Sequence, residues 1–182
     1  MNHLLADIRG NLSHPYEIKV QTESGLGNAV LRGVRNASGD VIAVLDADGS
    51  HNPKYIPGMT ELLEEYDIVL GSRYIAGGSS EDYRIRVFLS RLFCIFSKVI
   101  LNLKVEDNMS GYIVAKKNVF SQLTLKPVGY KLGLEILVKS KGRFLVAEYP
   151  VCFEKRKMGY SKTGFIQGIK TIASILQLRL EA

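Results

Sequence analysis

The residues best equipped for chemistry are Asp46 and Asp48, which close the run Val41-Ile42-Ala43-Val44-Leu45-Asp46-Ala47-Asp48. Two carboxylates separated by one residue repel each other unless a cation or several hydrogen-bond donors hold them. Hard oxygen ligands of this kind favour Mg²⁺ or Mn²⁺, ions that keep coordination positions for substrate phosphates. Asp48-Gly49-Ser50 also has the composition of an ordinary turn, so on the motif alone both readings stay open. His51 follows directly and is read as a turn or secondary contact rather than a metal ligand. Cys94 and Cys152 lie far apart inside apolar runs, which predicts reduced thiols and neither a disulfide framework nor a metal clip.

The elements that must position the carboxylates follow an alternating order. Glu17–Thr22 reads as extended. Gly25-Leu26-Gly27 opens a helix that runs to about Ala37 and ends at Ser38-Gly39-Asp40. Val41–Leu45 is a continuous β-branched and apolar run, the pattern of a strand buried on both faces of a parallel sheet, and it stops at Asp46. Asn52 and Pro53 then start a helix that continues to Leu63, before a strand at Asp67–Leu70. This rhythm predicts an α/β layer architecture with a mostly parallel sheet and ligands at the carboxyl ends of its strands. Beyond it, Arg84–Leu103 reads as a long helix, Gly111–Ala115 as a strand and Lys131–Lys139 as a short helix. Phe144–Glu148 and Val151–Phe153 read as strands, with Pro150 between them marking an edge or a bend, and 164–182 as a closing amphipathic helix.

The chain has 182 residues with 46% hydrophobic, which fits one domain spanning residues 1–182 and excludes a disordered tail. Twenty-four Lys and Arg against 18 Asp and Glu give a net charge of +6, spread along the sequence. Such a field attracts anionic partners without choosing among nucleic acid, lipid headgroup and sugar nucleotide. No signal peptide is visible, and Val87–Leu103 is interrupted by Ser90, Arg91, Ser97, Lys98 and Asn102, which argues against a spanning helix. A cytosolic compartment is the expectation.

Further motifs fall in a fixed order: Gly25-Leu26-Gly27-Asn28-Ala29, Asp46 through Pro53, Gly71-Ser72-Arg73-Tyr74, Arg86 with Ser90-Arg91, Asp107 through Tyr112, Gly129-Tyr130-Lys131, Glu135, and Arg156 through Lys162. Together they resemble the family 2 glycosyltransferases, in particular their dolichyl- or polyprenyl-phosphate mannosyltransferase and glucosyltransferase group, from about Ile18 onward. The resemblance implies a GT-A fold. It also implies transfer of a hexose, mannose before glucose, from a nucleotide-sugar to a polyprenyl or dolichyl phosphate with inversion at the anomeric carbon. GDP-mannose is the favoured donor and UDP-glucose the alternative; nucleic acid is not expected as a partner. By the same resemblance Asp46 and Asp48 hold Mg²⁺ or Mn²⁺ and the donor diphosphate. Arg73, Arg86, Ser90 and Arg156 line the meeting place of donor and lipid phosphates, and Lys162 closes the same basic loop. Asp107 is read as either an orienting or a capping residue, and Glu135 as a structural partner of a nearby base.

A phosphate monoester is already largely dianionic at neutral pH, so such a reaction needs no strong catalytic base. It needs alignment of two anions and stabilisation of charge on the leaving diphosphate. The planar arginine fork suits both, so Arg73→Lys is expected to be a severe change. A lipid acceptor also leads us to expect the chain at the cytoplasmic face of a membrane, with Arg86, Arg91 and Lys98 on the long helix reaching headgroups. The family pattern normally begins with two strands that bind base and ribose, and these are not recognised before Ile18. A truncated domain, a split enzyme completed by a second chain and a noncatalytic remnant or partner subunit are the three resulting expectations. Nucleotidyl transfer at the same carboxylates is disfavoured because it leaves Arg73, Arg86 and Arg156 unexplained.

Overall fold

A computed structural model describes residues 25–126, 132–156 and 165–181. The predicted extended stretch Glu17–Thr22 lies outside them. Helix α1 (Leu26–Asn36) leads into strand β1 (Val41–Val44). The Asn52 side chain caps a short turn by accepting from the Lys54 amide at 3.0 Å, and α2 (Ile56–Glu61) follows. Then come β2 (Ile68–Ser72), the two-residue β3 (Ser79–Ser80) and the long α3 (Arg84–Leu101). The second half holds β4 (Ile113–Lys116), α4 (Lys117–Gln122), α5 (Leu132–Ser140), β5 (Val146–Pro150), β6 (Cys152–Phe153) and α6 (Phe165–Glu181).

Four strands form one sheet in the order β1-β4-β2-β5, and β3 pairs with β6 in a second, two-stranded sheet. Strands β1, β2 and β5 run in the same direction, as the alternating pattern predicts. The expectation of mostly parallel pairing needs correction: β4 inserts between β1 and β2 in the opposite sense, so only β2 and β5 pair in parallel within the larger sheet. Hydrophobic alternation reports which face a side chain takes and carries no information on strand direction.

Period-two alternation sorts the side chains of the central strands. Ile68, Leu70, Ile113 and Ala115 face a core closed by Val34 of α1, Leu101 of α3, Ile136 of α5 and Ile175 of α6. Val69, Tyr112 and Val114 face a smaller core with Met59 of α2 and Leu63. Burial on both faces therefore belongs to β2, every residue of which is buried. In β1, by contrast, Ile42 is buried while Val41 and Ala43 are exposed, which corrects the expected double burial of that run. Among the described residues β1 is an edge strand hydrogen-bonded only to β4. Gly71 lets β2 pack closely on the buried Tyr112 ring, from which an added Cβ would lie a tight 3.1 Å.

Asp67 ties three strands together at the rim opposite the carboxylates. Its Oδ2 accepts from the Leu145 amide at 2.9 Å and its Oδ1 from Lys116 Nζ at 3.0 Å. The backbone bond, and then Lys116, hold this carboxyl below the ordinary aspartate range against the opposing effect of burial. A folded-state pKa below the unfolded value means that the contribution is complete above the ordinary aspartate pKa of about 3.9 and is lost as pH falls through the folded value. Asp67→Asn should lower unfolding stability by about 1–2 kcal/mol at neutral pH. Urea denaturation across a pH series should show the difference between variant and parent shrinking on the acid side.

Candidate functional site

Strand polarity explains why distant residues converge. Asp46, Asp48 and Arg73 leave the carboxyl ends of β1 and β2. Because β4 is reversed, with Val44 opposite Ile113, the segment Asp107–Gly111 that precedes it reaches the same rim. The segment after β6 adds Glu154, Lys155 and Arg156. Together with α3 these segments enclose a cleft of about 550 Å³ whose lining includes Asp46, His51, Arg73, Arg86, Ser90 and Arg156.

The turn after β1 is held from inside. Asp48 Oδ1 accepts from the Ser50 amide at 3.0 Å and from Ser50 Oγ at 2.6 Å, while Oδ2 faces Arg156 Nε at 2.9 Å. Burial opposes ionisation here, but the Ser50 bonds and the Arg156 charge outweigh it and keep the Asp48 carboxyl below its ordinary range. The pairing with Arg156 is itself templated. The Glu154 amide donates to the Ser50 carbonyl at 3.1 Å, and Asn52 Nδ2 donates to Glu154 Oε1 at 2.6 Å. His51 accepts the Asp46 amide proton on Nδ1 at 3.0 Å and stacks on Tyr112 at 5.0 Å between centroids. Burial lowers the His51 pKa, with the Asp46 and Asp48 charges opposing, in keeping with an acceptor nitrogen that carries no proton. His51 is thus the secondary contact the sequence implies.

Arg73 is fixed on several sides. Its Nε and Nη2 donate to the two oxygens of Asp107 at 2.7 and 2.8 Å, and its own amide donates to Oδ2 at 3.0 Å. Nη2 also reaches Ser90 Oγ at 3.2 Å, and the guanidinium lies 4.7 Å from the Phe153 ring centroid. Burial alone would depress the Arg73 pKa; the hydrogen bonds and charge of Asp107 raise it instead, so the group stays cationic. Asp107 is completely buried and is set in turn by Glu148 on β5, whose two carboxylate oxygens accept from the Glu106 and Asp107 amides at 2.8 and 2.9 Å. Gly78 packs against the end of β2 just before the Arg73 side chain, where a Cβ would sit 2.5 Å from the Ser72 carbonyl oxygen.

The structure therefore brings Asp46, Arg73, Arg86, Ser90 and Arg156 to one cleft, with Asp48 at its edge, whereas Lys162 lies outside the described residues. Arg86 is the loosest of the set, half exposed and 3.4 Å from Asp82. Glu135 is structural as expected, pairing with Lys139 at 2.6 Å and accepting from the Lys126 amide. Both cysteines are free thiols, Cys94 buried and Cys152 half-buried. Burial, then the Asp107 charge, pushes the Cys94 thiol up to about 12, which leaves it unreactive. The sequence does not single out Glu148 or Phe153; each acts through a partner that only the sheet makes adjacent.

As a metal site the donor set is two aspartates, and no cluster of three or more His, Cys, Asp or Glu occurs among the described residues. Two hard carboxylates beside open cleft volume fit Mg²⁺ or Mn²⁺, which retain waters and phosphate oxygens in the remaining positions. Gly111 lies beside this pair, where a Cβ would be in ordinary contact with Asp46 Oδ2 at 3.9 Å.

The profile of glycosyl transferase family 2 matches residues 4–124. The chain belongs to that family. The chain is 38% identical over 158 residues to a dolichol-phosphate mannosyltransferase of Pyrococcus furiosus, covering 83% of the chain and 45% of the relative. It is 29% identical over 150 residues to an undecaprenyl-phosphate mannosyltransferase of Micrococcus luteus, covering 78% and 61%. The chain thus spans about half the length of these relatives. A solved glucosyl-3-phosphoglycerate synthase of Mycobacterium tuberculosis, in complex with Mn²⁺, UDP-glucose and glycerol 3-phosphate, superposes with a TM-score of 0.63 at 19% identity over 89% of this chain and 56% of that one. The phosphoglyceric acid complex of the same enzyme gives the same TM-score at 21% identity and the same coverage. The fold is GT-A.

Removing one member of a buried ion pair leaves the other charge uncompensated, so Asp107→Ala should cost about 3–5 kcal/mol of unfolding stability. Arg86→Ala, which breaks an exposed pair, should stay within about 1 kcal/mol. Chemical denaturation of the two variants beside the parent checks both.

Proposed function

We propose that the chain transfers mannose from GDP-mannose to the phosphate of a polyprenol or dolichol, with inversion, at the cytoplasmic face of a membrane. The observation that carries this reading is the convergence of Asp46 and Asp48 with Arg73, Arg86 and Arg156 on one cleft. The names of the two mannosyltransferase relatives support the sugar and the acceptor class.

An acceptor phosphate oxygen forms the new bond to the anomeric carbon while the bond from that carbon to the donor diphosphate breaks, and the electron pair leaves with the nucleoside diphosphate. The acceptor arrives as a dianion, so no side chain has to remove a proton from it. Arg73, held by Asp107 and Ser90, offers a rigid guanidinium at the cleft wall. Arg156 arrives from the opposite segment and is free to exchange its contact with Asp48 for a phosphate, an exchange suited to a group exposed by 45%. Arg86 adds a half-exposed positive charge from α3. Asp46 and Asp48 would hold Mg²⁺ or Mn²⁺. When bound, that ion supplies positive charge to the diphosphate as it departs. Orientation of two mutually repelling anions and stabilisation of leaving-group charge account for the catalysis without a base.

The purified chain should be assayed with radiolabelled GDP-mannose or UDP-glucose and a polyprenyl phosphate, reading label in the lipid extract. Transfer from GDP-mannose and its abolition by a chelator support the proposal. Transfer from UDP-glucose alone overturns the sugar assignment, and no transfer from either donor favours a noncatalytic partner subunit. Arg73→Lys and Asp48→Asn should each lower kcat by roughly 10²–10³-fold, the range for losing one preorganised electrostatic contact.

A further inference from the structure

Between the acidic turn and the Arg73 guanidinium runs a continuous series of ring contacts that the transfer chemistry leaves unused. It begins at Tyr112, which is completely buried and donates its hydroxyl to the Asn52 carbonyl at 2.9 Å. His51 stacks on that ring at 5.0 Å and takes the Asp46 amide proton, so its position fixes the backbone that carries the first carboxylate. Phe153 comes next, its ring centroid 4.5 Å from that of His51 and 4.7 Å from the Arg73 guanidinium. Arg73 also lies 4.8 Å from the Tyr74 ring centroid, and the Tyr74 hydroxyl donates to the Val87 carbonyl of α3 at 3.3 Å.

Phe153 joins the two ends of this series, and its backbone allows little adjustment. Its carbonyl accepts the Glu81 amide at 2.8 Å, and the Glu154 amide that follows donates to the Ser50 carbonyl at 3.1 Å. Filling the adjacent core asks only for apolar volume, which leucine supplies. Meeting an imidazole and a guanidinium at once asks for a flat ring with a negative face. On Arg73 the hydrogen bonds complement the rings: Asp107 takes Nε and Nη2, Ser90 also takes Nη2, and no acceptor among the described residues takes Nη1. Every buried side-chain nitrogen among the described residues has a partner, so Nη1 is an accessible donor, and Arg73 lines the cleft.

We infer that Phe153 is a positioning residue of the cleft: its ring sets the spacing between the carboxylate turn and Nη1 of Arg73, so that one phosphate-bearing ligand is gripped from both ends at once. This rests on the proposed reading of the cleft as a site for a metal-bound phosphate ligand, and not on which sugar moves. Neither end needs Phe153 by itself, since Asp48 is held by Ser50 and Arg73 by Asp107. The ring adds their fixed separation, and a fixed separation is measurable as a coupling free energy between the two ends.

Titration calorimetry of the full chain with Mg²⁺, with inorganic pyrophosphate, and with pyrophosphate at saturating Mg²⁺ measures that coupling without any sugar. In the parent, Mg²⁺ is expected to tighten pyrophosphate binding beyond what complex formation in solution accounts for. Phe153→Leu should lower the combined affinity about tenfold while each single affinity stays within about twofold of the parent's, a split that a merely structural role would not produce. Phe153→Tyr, which restores the ring, should return the combined affinity to the parent's value. The inference is overturned by full coupling in the leucine variant, by a parallel fall of all three affinities with the melting temperature, by a folded tyrosine variant that binds as weakly as leucine, or by a parent without coupling. Coupling through Phe153 in a chain that transfers no sugar removes the proposed function and supports the inference. Sugar transfer by a chain whose leucine variant keeps full coupling does the reverse.

Discussion

The buried pair between Arg73 and Asp107 is the constraint on which the rest of the cleft depends. A fully buried carboxylate is tolerable only with a partner, and here the partner is a guanidinium engaged through two nitrogens plus the backbone amide of the same residue. That geometry freezes a side chain that would otherwise have many rotamers, and it does so before any ligand arrives. The arrangement also couples elements. Glu148 on β5 holds the loop that carries Asp107, Asp107 holds the residue that ends β2, and Arg73 reaches Ser90 on α3. Displacing any of the three elements tilts the cationic wall of the cleft.

The opposite wall is built on a different principle. Asp48 and Arg156 form a contact that is partly open to solvent, and their segments are joined by bonds from Glu154 to Ser50 and Asn52. One arginine is thus rigid and the other exchangeable. The proposed transfer, which must admit two anionic substrates and release an anionic product, is served by this difference: a fixed group defines the position of a phosphate, and a releasable one lets product depart.

Much of this was legible before the fold. Asp46 and Asp48 stand at the end of an apolar run, which by itself places them at a strand tip, and Arg73 follows the next strand in the same way. The long helix from Arg84 was evident from its periodicity. The sequence did not disclose the reversal of β4, because Gly111–Ala115 has the same alternation in either direction. It likewise concealed the partial exposure of β1, since an edge strand and a central one share β-branched composition. Helix α4, only six residues from Lys117 to Gln122, is too short to set up a helical period. Asp107 was visible as a polar residue beside a glycine turn, yet its role depends on Arg73, 34 residues earlier, and on Glu148, 41 residues later.

The reach of these contacts has a bearing on how the polypeptide acquires its shape. Strand β2 finds its parallel neighbour 78 positions later, from Ile68 to Val146, and Asp48 meets Arg156 across 156 − 48 = 108 positions. Closing such long loops costs chain entropy before any contact compensates it, so folding rates should be governed by topology and not by local helix formation. On a translating ribosome the acidic turn after β1 emerges long before either β5 or Arg156 exists. Until Arg156 is synthesised Asp48 has its Ser50 bonds but no guanidinium partner, so the rim that unites the acidic turn with both arginines assembles well after the turn itself.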